Sequence, residues 1–207
     1  MTQRFEVHPT HPQPRLIRQA AEVLRKGGVI AYPTDSSYAL GCIVGDASAL
    51  ARLRRIRGID ERHQLTLVCA DLADLGRYAR VDNRAFRILK QGIPGPYTFI
   101  LEGTRELPKR ILHPRRSTIG LRVPDHAVVR ALLTELGAPI LSATLIPPES
   151  DEPLNDPDVI AFQMPRDLAL LLDAGACAAA ATTVIDLTAV DPIVVRIGNG
   201  SLATIGL

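Results

Sequence analysis

GGVIAYPTDSSYALGC, residues 27–42, runs an apolar strand directly into Pro-Thr-Asp and a cluster of hydroxyls. Val29, Ile30 and Ala31 form a short β-prone run, and Tyr32 can pack beside them. Pro33 has no N–H for a ladder, so regular pairing is expected to weaken there. Thr34, Asp35, Ser36, Ser37 and Tyr38 then arrive at the strand end. In an open α/β sheet ligands bind outside strand ends, and one carboxylate among four hydroxyls makes a dense donor and acceptor set. Ser and Asp after Pro equally favour an ordinary polar turn. The segment alone leaves both readings open.

Upstream, residues 14–26 place Leu16, Ile17, Ala20, Val23 and Leu24 at helical spacing, with Pro14 in the first turn and Gly27-Gly28 as a stop. Downstream, Asp46 to Ser48 can cap a second helix with Ala49, Leu50, Leu53 and Ile56 on its apolar face, ended by Gly58. Residues 65–69 read as a strand, 82–91 as a helix, and 97–101 and 118–123 as strands. Residues 126–136, stopped by Gly137, read as a helix, and 139–143 as a strand. The acidic stretch 147–157 is a loop, 161–172 is expected to be partly helical, and 183–187 and 193–197 are strands. Helices and strands interleave without an internal repeat, which predicts one mixed α/β (α+β) sheet covered by helices.

The chain has 207 residues, 46% of them hydrophobic, enough for a sizeable core and suited to a single domain over 1–207. No apolar run reaches the roughly 18 uncharged residues of a membrane span, and the first fifteen residues lack a signal-peptide core. The expectation is a cytoplasmic protein without a membrane partner. Cys42, Cys69 and Cys177 are odd in number and far apart in apolar surroundings, which speaks for buried thiols and against disulfides. The five histidines show no metal-ligand spacing with them, so no resident metal is expected.

Charge is distributed unevenly. Residues 1–140 carry 22 Lys and Arg against 13 Asp and Glu, whereas residues 141–207 carry 2 against 9. The basic residues are nearly all arginine, the side chain suited to bidentate phosphate contacts, so the field points to an anionic partner such as a nucleotide or RNA. Arg52, Arg54, Arg62, Arg115 and Arg116 are the candidates for an RNA surface. Arg55 and Arg57 depend on local geometry. On a continuing helix two residues two apart point about 200° from each other, whereas an extended chain would bring both guanidinium groups to one side of a phosphate. No Walker loop or GxGxxG is present, so side chains and strand ends would have to hold any nucleotide.

The ordered set YPTDSSYALGC, Arg55-x-Arg57, PGPYTFIL at 94–101, TIGLRVPDH at 118–126, PILSAT at 139–144, TTVIDL at 182–187 and VVRIG at 194–198 resembles the YrdC/TsaC family, nearest its YciO branch. The match spans nearly the whole chain. It implies a twisted mixed sheet covered by helices, with a large positively charged concave surface. It also implies L-threonylcarbamoyladenylate synthase chemistry, in which L-threonine, bicarbonate and ATP, accompanied by Mg²⁺, give threonylcarbamoyl-AMP and pyrophosphate. The product serves modification of adenosine 37 in certain tRNAs. The implied alternative is a double-stranded RNA, tRNA or rRNA binder without turnover, and a third class is a sensor that keeps the pocket.

By the same resemblance Thr34, Asp35, Arg122, Ser142 and Thr182 are the threonine-side residues, Arg122 being the one expected to grip the carboxylate. Arg55 and Arg57 are the catalytic pair, and with Thr118, Thr144 and Arg196 they form the ATP side. Thr98 follows the same logic more weakly. The chain departs from the family pattern at named places. Asp35 stands for a Glu, Arg55 for a Lys, Gly58 and Ile59 follow the basic pair in place of prolines, and Leu145 and Ile146 stand where the pattern has an Asn. The departures fall mainly on the nucleotide side.

Overall fold

Asp46 accepts the backbone N–H groups of Ser48 and Ala49 at 2.8 and 3.0 Å, and Gly58 takes a left-handed φ of 68°, so the second helix starts and stops where its cap residues dictate. The computed structural model describes residues 2–207 except Pro165, Asp167 and Ala179. In chain order the elements are β1 (Gln3–Glu6), α1 (Pro14–Arg25), β2 (Ile30–Tyr32), β3 (Ala39–Ile43), α2 (Ala47–Arg57), β4 (Thr66–Val68), α3 (Leu72–Tyr78) and α4 (Asn83–Gly92). There follow β5 (Tyr97–Glu102), β6 (Thr118–Arg122), α5 (Ala127–Leu136), β7 (Ile140–Thr144), α6 (Pro157–Gln163), β8 (Leu170–Asp173), β9 (Thr183–Asp186) and β10 (Ile193–Arg196).

Among the described residues the strands form one mixed sheet of ten, in the order β1-β8-β2-β3-β7-β4-β6-β5-β9-β10. Alternation along the strands gives it two unlike faces. Leu40, Cys42, Leu67, Phe99, Leu121 and Leu141 point into a large core shared with α2, α3, α4 and α6. Ile30, Tyr32, Ala39, Val68, Ile140, Leu170 and Leu172 point the other way, into a smaller core under α1 and α5. That second cover is partial, and β6, β5 and the middle of β7 contribute mostly polar residues and glycine to the rest of this face.

One expectation is corrected. Within 161–172 only Ala161–Gln163 is helical, and Leu170–Asp173 is a strand. Pro165 and Asp167, inside that expectation, lie outside the described residues. β8 sits between β1 and β2, paired in parallel to both, with Leu170, Leu171 and Leu172 fully buried, so it has the unbroken apolar run of a parallel interior strand. The helix α2 continues through Arg57, so the extended geometry that would align Arg55 with Arg57 does not occur.

Candidate functional site

The polar floor follows from register. Ser142 of β7, Thr66 of β4 and Gly120 of β6 lie in one row across three neighbouring strands. Two residues along in one direction the row holds Thr144 and Thr118; two along in the other it holds Arg122. A Cβ at Gly120 would stand 2.9 Å from Thr66 Oγ1 and 3.2 Å from Thr98 Cγ2, so only hydrogen fits between these threonines. Thr118 and Arg122, four residues apart on one face of β6, mark the two ends of a trench about 13 Å long at the rise of a strand.

At the first end Arg122 is 8% exposed. Its Nη2 donates to Ser36 Oγ at 2.9 Å, to Thr34 Oγ1 at 3.3 Å and to Asp35 Oδ1, while its Nε is buried without a partner. Asp35 Oδ2 accepts the Asp125 N–H at 3.0 Å, which ties the loop after β2 to the end of β6. β2 and β6 are separated by β3, β7 and β4, about 19 Å on a flat sheet, beyond the reach of one side chain. Residues 33–37 therefore cross over the polar face of the sheet to bring Asp35 to Arg122.

The hydroxyls from this end to the middle row are differently committed. Thr34 Oγ1 donates to Ser37 O at 2.6 Å and accepts the N–H groups of Ser36 and Ser37, so it shapes the loop and has no proton left for a ligand. Ser142 Oγ donates to Leu40 O at 2.9 Å and lies 2.7 Å from Tyr32 Oη. Burial pushes the Tyr32 phenol up to about 12, so it stays protonated and donates to Ser142. Ser142 can then offer an incoming group only a lone pair. Thr182 and Thr98 hydroxyls meet at 2.9 Å, and Arg196 donates to Thr182 O from Nε and Nη2 at 3.2 and 3.0 Å. Arg196 is held below its ordinary pKa by burial and then by the charge of Arg122, which places these two cations in one field.

At the second end Thr118 donates to Gln64 Oε1 at 3.1 Å. Gly58 abuts Pro148 in the loop after β7, so the C-terminus of α2 lies at the Thr144 end. Arg57, half-buried, has its pKa lowered by burial against the opposing pull of Asp151, and its Nε is buried without a partner. Arg62, Arg115 and Arg116 are exposed just before β4 and β6, two parallel neighbours whose starts lie side by side; Arg116 is 3.6 Å from Asp186.

The structure thus brings Thr34, Asp35, Arg122, Thr182, Thr98 and Arg196 to one end of the trench, Ser142 to its middle row, and Thr118, Thr144 and Arg57 to the other end. Arg196, expected on the ATP side, belongs with the Arg122 group. Arg55 is exposed on α2 and does not converge with Arg57, because a 200° separation sends them apart. Arg52 and Arg54 donate to Gly27 O and Arg110 O. Sequence reasoning placed Ser36 in the strand-end hydroxyl cluster without giving it a partner, and passed over Asp125 and Gln64. Period two from Thr66 was the available signal for Gln64, and Cys177, whose thiol is pushed up to about 11 chiefly by burial, had none. Among the described residues no group of three or more His, Cys, Asp and Glu could hold a metal ion, no helix is long and apolar enough to cross a membrane, and all three cysteines are free.

A family model described as "Telomere recombination" (Sua5_yciO_yrdC) matches residues 22–198. YciO of Escherichia coli is 49% identical over 202 residues, covering 98% of each chain. Its crystal structure superposes with a TM-score of 0.96 at 48% identity, over 99% of this chain and 100% of that one. A threonylcarbamoyl-AMP synthase of Halorhodospira halophila is 36% identical over 140 residues, 67% of this chain and 73% of the relative. The crystal structure of P. abyssi Sua5 complexed with L-threonine has a TM-score of 0.88 at 25% identity, over 95% of this chain and 58% of that chain. The family model over residues 22–198 and the similarity to YciO over nearly the whole length agree: the chain belongs to the Sua5/YciO/YrdC family.

Proposed function

We propose that the chain is an enzyme of the threonylcarbamoyl-AMP synthase type, handling L-threonine at the Arg122 end of the trench and ATP at the Thr118 end. The observation that carries this reading is Arg122, a buried guanidinium whose Nε has no protein partner. A buried cationic donor left open costs several kcal/mol unless a ligand anion satisfies it, and the threonine carboxylate is such an anion. Ser142, able only to accept, suits the N–H of threonine or its carbamate. The amine nitrogen of threonine attacks the carbon of bicarbonate and water leaves, a carbamate oxygen then attacks the α-phosphorus, and pyrophosphate leaves. The protein contributes placement of the two ends about a trench length apart and positive charge beside the phosphates. Mg²⁺ would come with the nucleotide and offset its phosphate charge; among the described residues no group of three or more His, Cys, Asp and Glu could hold it.

The test is incubation of the purified protein with L-threonine, bicarbonate and MgATP, reading pyrophosphate and adenylate. Formation of the adenylate, or consumption of added adenylate, supports the reading; neither would sink it. A second reading, binding of double-stranded RNA or tRNA, is favoured by the exposed Arg62, Arg115 and Arg116 at the trench mouth. It requires affinity that falls steeply with salt, by about 0.9 log units per log unit for each phosphate neutralised on a duplex, and a flat response removes it. Thermal stabilisation by ATP or threonine without product would instead mark a sensor.

A further inference from the structure

Among the described residues five buried side-chain polar atoms lack a partner: Arg54 Nε, Arg57 Nε, Gln64 Nε2, Arg84 Nη1 and Arg122 Nε. All are donors. Arg54 and Arg84 lie away from the trench, donating to Arg110 O and Ala189 O, but Arg57, Gln64 and Arg122 belong to it. Surplus donors without a surplus acceptor suit a group that only accepts, such as the oxygens of a phosphate or carboxylate. Arg122 takes the carboxylate under the proposed function, so the question is what Gln64 and Arg57 serve at the far end.

Gln64 stands two residues before Thr66 and, by the parallel register of β4 with β6, opposite Thr118. Its side chain therefore leaves on the trench face, and the hydrogen bond from Thr118 Oγ1 to Oε1 confirms that direction. This bond fixes the carboxamide by one end and leaves the two Nε2 protons free and shielded from water. The position complements what the chain lacks: Leu145 is fully buried in the large core and Ile146 has no polar atom, so neither supplies an amide after Thr144.

We propose that Gln64 is a phosphate-recognising residue, its amide donating with Arg57 to the polyphosphate chain of the nucleotide. The proposal rests on the reading of the trench as a nucleotide and threonine site. Thr118 is its positioning residue, holding the carboxamide by Oε1 so that Nε2 is the end left without a partner. The amide adds direction where arginine alone adds charge, because its two N–H groups are planar and cannot swing once Oε1 is anchored.

The test is calorimetric titration of inorganic triphosphate, ATP and L-threonine into the wild-type chain, Gln64→Leu and Gln64→Glu, with melting temperatures of the unliganded proteins. Expected are triphosphate and ATP binding weakened about tenfold in Gln64→Leu, the size of one hydrogen bond to a charged group, and weakened further in Gln64→Glu, with threonine binding unchanged. Triphosphate and ATP affinity equal to wild type in Gln64→Leu overturns the assignment and leaves the function intact. Loss of threonine and triphosphate binding together with a lowered melting temperature in both variants assigns Gln64 a structural role and also overturns it. A wild-type chain that binds neither ATP nor threonine overturns the functional reading itself.

Discussion

At the scale of single residues, Arg122 and Asp35 cannot be altered independently. Their side chains are 9% and 12% exposed, and Asp35 joins Arg122 to the Asp125 backbone. Arg122→Met should cost about 3–5 kcal/mol, because it leaves a nearly buried carboxylate with its charge uncompensated. It should also abolish stabilisation by L-threonine, read as the melting-temperature shift with and without the amino acid. A retained shift would remove Arg122 from the site. Thr34 separates shape from contact. Thr34→Val deprives two N–H groups of their acceptor and should cost about 1–3 kcal/mol, whereas Thr34→Ser should fold and bind like the parent. A binding defect in Thr34→Ser would show that the methyl group meets the ligand. Arg122 was legible in the sequence, since an arginine inside an apolar strand has few reasons to be there. Gln64 was not, because its use depends on which strand starts beside β4.

At the scale of elements, α5 shows how a cap near the site becomes pH-sensitive. His126 Nδ1 accepts the Val128 N–H at 3.3 Å, a bond that requires the unprotonated nitrogen. Burial holds its pKa below the ordinary histidine value, outweighing the opposing pull of Asp35 and Asp125, while Arg122 and Arg130 push in the same direction as burial. The unfolded chain therefore binds the proton more readily, so this group's contribution is present above about pH 6.5 and is lost as pH falls below it. His126→Asn keeps a capping oxygen without titrating, and should flatten the fall in denaturant-unfolding stability between about pH 5 and 7. An unchanged slope would assign the acid sensitivity elsewhere. Among the elements, α1, α2, α4 and α5 were legible because Asp46, Asp82, Gly58 and Gly137 act locally, whereas the short α3, capped by Asp71, was passed over. The strands β1, β3 and β8 were not. β3 is buried on both faces with Gly41 inside it, β8 is an unbroken leucine run that periodicity cannot separate from a helix, and β1 is a short, largely exposed edge.

At the scale of the whole molecule, the trench exists because one face of the sheet is only partly roofed, by α1 and α5, while the other is fully covered. That asymmetry depends on long-range pairing, which no local pattern reveals. The strand order carries a further consequence, for synthesis. β1 and β2 never touch as neighbours; both wait for β8, made some 140 residues after β2, and the opposite margin is completed by β9 and β10 later still. A ribosome-bound chain that has not yet emitted residue 173 holds a sheet unfinished at both margins, with β2 bare along one edge and β5 along the other. Such a nascent chain should remain sensitive to protease until its last third emerges, and then become resistant in one step, which pulse proteolysis of stalled chains of increasing length would measure.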